Sequence, residues 1–80
     1  MVKAGIFPGS LLVVDRSIEA TNGKIVIAAL NGELTVKRLS IGNEKTWLVA
    51  ENDNYPSIEI SEQLDVVVWG VVTSVIQELR

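Results

Sequence analysis

The chain reads as a single, mainly β domain with a small barrel-like or sandwich-like architecture. Three observations predict it. Val and Ile supply twenty of the 80 residues, and β-branched side chains suit a pleated, half-buried surface. Turn residues recur about every ten positions, with short apolar or alternating runs between them. No ten-residue stretch carries helical periodicity. Nor does any segment repeat.

Gly5, Pro8 and Gly9 make the opening irregular. Ser10 to Asp15 is a short apolar run bounded by turn residues, which predicts a buried strand. Arg16 to Gly23 is polar and ends in Asn-Gly, which predicts a loop with room for one helical turn. Lys24 to Leu30 and Glu33 to Ile41 flank Asn31-Gly32. Asn-Gly readily takes the two positive φ angles of a type I′ turn, so these arms form a β-hairpin. Gly42 to Lys45 closes a second hairpin into Thr46 to Ala50. Glu51 to Pro56 is a loop rich in Asn and Asp. In Ser57 to Ile60, Ile58 and Ile60 share a face and Glu59 takes the other, the period of a short strand. Val66 to Ile76 is the longest strand. Gly70 interrupts it, which marks a bulge or a close backbone approach. Gln77 to Arg80 reads equally as strand end or helical tail.

The bulk numbers exclude whole classes of function. Eighty residues make one small domain with a thin stability margin. Net charge is -3, and neither sign forms a block, so a direct nucleic-acid interface is not expected. There is no cysteine and no histidine. That removes disulfides, thiolate metal sites and every Ser-His or Cys-His arrangement. Neither a metal nor a cofactor is expected. Hydrolytic chemistry would need a lysine or a carboxylate. No apolar run approaches the roughly 18 residues of a membrane span, and no signal peptide is visible, so a cytoplasmic location is the default.

Lys37 is the candidate for chemistry. Along the second hairpin arm, Thr35, Lys37, Leu39 and Ile41 share one face, and Leu34 and Val36 share the other. Lys37 therefore belongs to a face that becomes apolar beyond it. Removing a lysine from water disfavours its ammonium form, and a neutral amine beside a serine hydroxyl can take its proton. Spacing alone favours the plainer alternative, a solvated lysine whose stem covers apolar surface.

Other features have plain readings. Asp15 and Arg16 can pair across their loop, worth about 0–1 kcal/mol when exposed. Glu51, Asp53 and Asn54 fit no calcium loop and read as a solvated turn. Trp47 and Trp69 read as core. Val66 to Val72 is apolar on both faces, so it is central in a sheet or covered by a partner.

Several strings add to this reading. Gly5-Ile6-Phe7-Pro8-Gly9-Ser10-Leu11-Leu12-Val13-Val14-Asp15, then Gly23 to Ala29, then Gly32-Glu33-Leu34-Thr35-Val36-Lys37-Arg38-Leu39 resemble, in order, the LexA/UmuD family of S24-type self-cleaving Ser-Lys peptidases. The likeness continues through Glu51 to Ile60 and Gly70-Val71-Val72, so residues 1–80 read as one domain of that type. The UmuD branch looks nearest. That implies an SOS-response fragment for DNA damage tolerance and mutagenesis that works by dimerisation and protein contacts. A DNA polymerase or recombinase filament would be its partner. The alternative is the C-terminal dimerisation and self-cleavage domain of a LexA-like or phage-type transcriptional repressor.

By resemblance, Lys37 is the family's general base. The family's serine sits in a Gly-Asp-Ser-Met motif whose methionine aligns with Met1, so the serine would immediately precede Met1. Ala4-Gly5 looks like the family's cleaved bond but lies on the wrong side of that serine. Ser10 stands where the family often has Asp, and Ser17, Ser40, Ser57, Ser61 and Ser74 match no catalytic motif. The expectation is a domain incomplete at its N-terminus, inactive as it stands, because a base without a nucleophile cannot form an acyl-enzyme. Three origins fit: a shortened gene product, an internal start and a relic kept for its binding surface. A missing strand neighbour would leave an edge open to pairing with a second chain. The resemblance also places a homodimer contact around Trp69, Val71, Val72, Val75 and Ile76.

Overall fold

A computed structural model describes residues 9–50, 56–61 and 65–77. Among these there is no helix. Six strands, β1 (Leu11–Asp15), β2 (Ile25–Leu30), β3 (Glu33–Ile41), β4 (Thr46–Val49), β5 (Ile58–Ile60) and β6 (Val66–Ile76), form one antiparallel sheet in the order β1-β6-β2-β3-β4-β5. The mainly β expectation holds, with β1 and β5 as the edges of the sheet. The irregular opening through Pro8, Ala4-Gly5, the acidic turn at Glu51, Asp53 and Asn54, and the last three residues lie outside the described residues.

The hairpin forms where Asn-Gly requires it. Asn31 has φ 50° and Gly32 has φ 84°, and Leu30 pairs with Glu33 directly behind them. The β3 and β6 boundaries match the alternation of the sequence. Ser10, Lys24, Ala50 and Ser57 fall just outside their strands. The loop after β1 is a series of bends with no helical turn.

β6 is apolar on both faces because it is central: β1 pairs with its C-terminal half and β2 with its N-terminal half. It carries two irregularities. The register against β2 passes from Gly70 to Val68, leaving Trp69 as an extra residue. The register against β1 passes from Ser74 to Val72, leaving Thr73 unpaired, and the Thr73 hydroxyl donates to the Val13 carbonyl at 3.2 Å. The sequence-based bulge is thus real, and its extra residue is the tryptophan beside the glycine. Gly70 meets the second expectation as well. A Cβ there would lie 2.6 Å from Val14 Cγ1 and 3.2 Å from Arg16 Cγ.

One face of the sheet holds the core: Val26, Ala28, Leu39, Leu48 and Val71, with Ala20, Ile58, Ile60 and Val66 packed against it. The ladders explain the membership. Val26 pairs with Val71 and Leu39 with Leu48, and directly opposed residues point to the same side.

Candidate functional site

Lys37 lies on β3 directly opposite Val26 of β2, and Val26 is fully buried. The lysine is therefore on the core face, as strand parity predicts. It is half-buried. Leu39, two residues on, is in the core itself. Following the pairs outward gives one row across four strands: Lys37, Val26, Val71 and Asp15. The two apolar members form the buried middle, and the two charged members stand at the ends.

Lys37 opens into a groove of about 190 Å³, lined also by Leu30, Glu33, Leu34, Thr35 and Ile58. Glu33, Thr35 and Lys37 reach it together because strand residues two apart share a face. Ile58 arrives from β5, and no local signal in the sequence announces it. None of the described serines lines the groove. Ser40 pairs with Trp47 and so faces away from Lys37. Ser10 flanks β1, and Ser74 lies on the outer half of β6. Chemically, the groove offers an amine beside an apolar wall, a hydroxyl and a carboxylate, in a space that suits a few side chains of an extended peptide.

A second constellation sits at the end of β1. Asp15 and Arg16, which can pair across their loop, take other partners. The Ser17 backbone N–H donates to the Asp15 carboxylate at 2.8 Å, and the Ser17 hydroxyl donates to the same oxygen at 2.6 Å. The bond from the Ser17 hydroxyl, then the one from its backbone, holds the Asp15 carboxyl below its ordinary range. Arg16 instead reaches β6. Its Nε donates to the Trp69 carbonyl at 3.0 Å, and its guanidinium lies 5.7 Å from the centre of the Trp69 ring.

That contact corrects the reading of Trp69 as core. The bulge carries the ring to the surface, where it is 47% exposed. Trp47 is half-buried on the face opposite the core. Among the other residues assigned to a dimer contact, Ile76 is exposed and Val72 and Val75 are half-buried, whereas Val71 is 3% exposed and belongs to its own chain's core.

Comparison with known proteins fits this geometry. The model of the Peptidase S24-like family matches residues 1–73. The chain belongs to that family. A LexA repressor from Ectopseudomonas mendocina (strain ymp) is 46% identical over 78 residues, which cover 96% of this chain and 38% of the relative. A LexA repressor from Pseudomonas chlororaphis is 41% identical over 78 residues, 96% of this chain and 39% of the relative. One from Bordetella parapertussis is 40% identical over 77 residues, 96% of this chain and 36% of the relative. The chain thus spans less than two-fifths of the length of these relatives. All three are LexA repressors, which favours the repressor alternative over the UmuD branch.

Among the described residues, no three His, Cys, Asp or Glu side chains are grouped to hold a metal ion, and no helix is long and apolar enough to cross a membrane.

Proposed function

We propose that residues 1–80 form the catalytic-base half of a LexA-like self-cleavage and dimerisation domain, with Lys37 as the general base. The observation that supports this most is the place of Lys37: half-buried, opposite Val26, at the wall of a groove in a chain of the S24-like family. In the reaction, the amine takes the proton of a serine hydroxyl as Oγ bonds to the scissile carbonyl carbon. The carbon–nitrogen bond then breaks, and the lysine returns the proton to the departing amine. Water afterwards cleaves the acyl-serine ester.

The serine this scheme needs is not in the groove. In the family pattern it belongs to a Gly-Asp-Ser-Met motif whose methionine aligns with Met1, and no Gly-Asp-Ser run occurs in the 80 residues.

The reading carries an assembly with it. Trp69 and Ile76 are exposed on β6, and a homodimer would cover them. Sedimentation at high micromolar concentration should show a dimer that Ile76→Glu dissociates; a strict monomer removes this part.

The reading frame upstream of Met1 tests the rest. A Gly-Asp-Ser codon run joined to an upstream helix-turn-helix pattern is the expected result. A short upstream arm without that pattern would favour the UmuD-like accessory role, with a polymerase or recombinase filament as partner. With the longer chain in hand, a fluorophosphonate probe should label the extended protein and leave the 80-residue chain unlabelled. Equal labelling of both would overturn the assignment of the nucleophile.

A further inference from the structure

The chain holds two Asn-Gly steps, Asn22-Gly23 and Asn31-Gly32, and the fold treats them in opposite ways. Asn-Gly is the step most open to cyclisation. Glycine has no Cβ to obstruct attack by its own backbone nitrogen on the preceding carboxamide carbon. Asparagine is accordingly among the chemically labile residues of proteins.

At Asn22-Gly23 both reacting groups are occupied. The Asn22 Oδ1 accepts the Ile41 N–H at 2.8 Å, and the Gly23 N–H donates to the Leu39 carbonyl at 2.8 Å. Cyclisation there must break two bonds that tie the loop to β3. At Asn31-Gly32 neither reacting group has a hydrogen bond among the described residues, and both residues are exposed. The Asn31 backbone N–H donates to the Asp65 carbonyl at 2.8 Å and takes no part in the chemistry.

We infer that Asn31 is a site of spontaneous deamidation in the folded protein and that Asn22 is protected from it. The Gly32 nitrogen bonds to the Asn31 carboxamide carbon, the bond from that carbon to Nδ2 breaks, and ammonia leaves with the amide proton. Water then opens the succinimide. Attack at the side-chain carbonyl gives aspartate, and attack at the backbone carbonyl gives isoaspartate, whose main chain runs through the former side chain. Either product adds a negative charge beside Glu33, at one end of the groove that Leu30 and Glu33 share with Lys37. Isoaspartate does more. It inserts an extra carbon into a two-residue turn that sets the hairpin register, including the opposition of Lys37 and Val26.

The test is peptide mapping by mass spectrometry of the 80-residue protein incubated in mildly alkaline buffer, native and in concentrated urea. In the native sample the gain of one mass unit should appear at Asn31 and be absent or many times slower at Asn22. In urea both sites should react at comparable rates, and Asn31→Asp should abolish the native signal. Equal native rates at the two sites, or an Asn31 that folding protects as well as Asn22, would overturn the inference.

Discussion

Lys37 and Asp15 stand at opposite ends of a single cross-strand row whose middle members, Val26 and Val71, are buried. The row links the candidate base on β3 to the loop end of β1 through the core. It makes the position of Lys37 a property of the whole sheet.

The core is small, so each member counts. Leu48 is fully buried and joins β4 to Leu39 of β3. Leu48→Ala should lower unfolding free energy by about 2–5 kcal/mol. Urea denaturation followed by tryptophan fluorescence would measure it. A loss below 1 kcal/mol would mean the cluster is not the core.

Gly70 is fixed by space, because the end of β1 and Arg16 lie close against it. Gly70→Ala places a methyl group 2.6 Å from Val14 Cγ1 and should cost about 1–3 kcal/mol. The double variant Gly70→Ala/Val14→Ala should recover part of that loss in a thermodynamic cycle. Simple additivity of the two changes would contradict the contact.

Arg16 shields one face of the Trp69 ring and anchors the bulge through the Trp69 carbonyl. Arg16→Ala should cost about 0.5–1 kcal/mol, the scale of an exposed cation–π contact, and should change the tryptophan emission. An emission spectrum identical to that of the unsubstituted protein would count against the stacked geometry.

Asp15 supplies a pH signature. Its carboxyl is held below the ordinary range by the two bonds from Ser17, so the folded pKa is lower than the unfolded one. The stabilisation is therefore fully present above the unfolded value and is lost as pH falls through the folded value. Ser17→Ala should lower Tm slightly at neutral pH, and the difference should vanish in strong acid. A difference that persists unchanged in acid would assign the effect to something other than this carboxylate.

The hairpin carrying Lys37 was legible because one dipeptide fixes its turn and alternation fixes its faces. Strand parity then put Lys37 on the side of Leu39, where the structure has it. What the sequence hid was long-range. Ile58 meets the groove only because β5 pairs with β4 through Leu48. Arg16 finds a partner 53 residues away in preference to its neighbour Asp15. Trp69 is outside because a bulge at that residue displaces it from the ladder, and alternation cannot count across an extra residue. Val71, three positions after Val68 in the same apolar run, goes inward by pairing with Val26.

The most direct measurement is the self-cleavage rate of a chain extended upstream through a Gly-Asp-Ser motif and carrying Lys37→Met. Methionine keeps an unbranched stem beside Val26, so the urea midpoint should stay near that of the unsubstituted protein. Cleavage should fall by about 100-fold or more, the scale of a lost general base. Cleavage at an undiminished rate in that folded variant would contradict the assignment of Lys37.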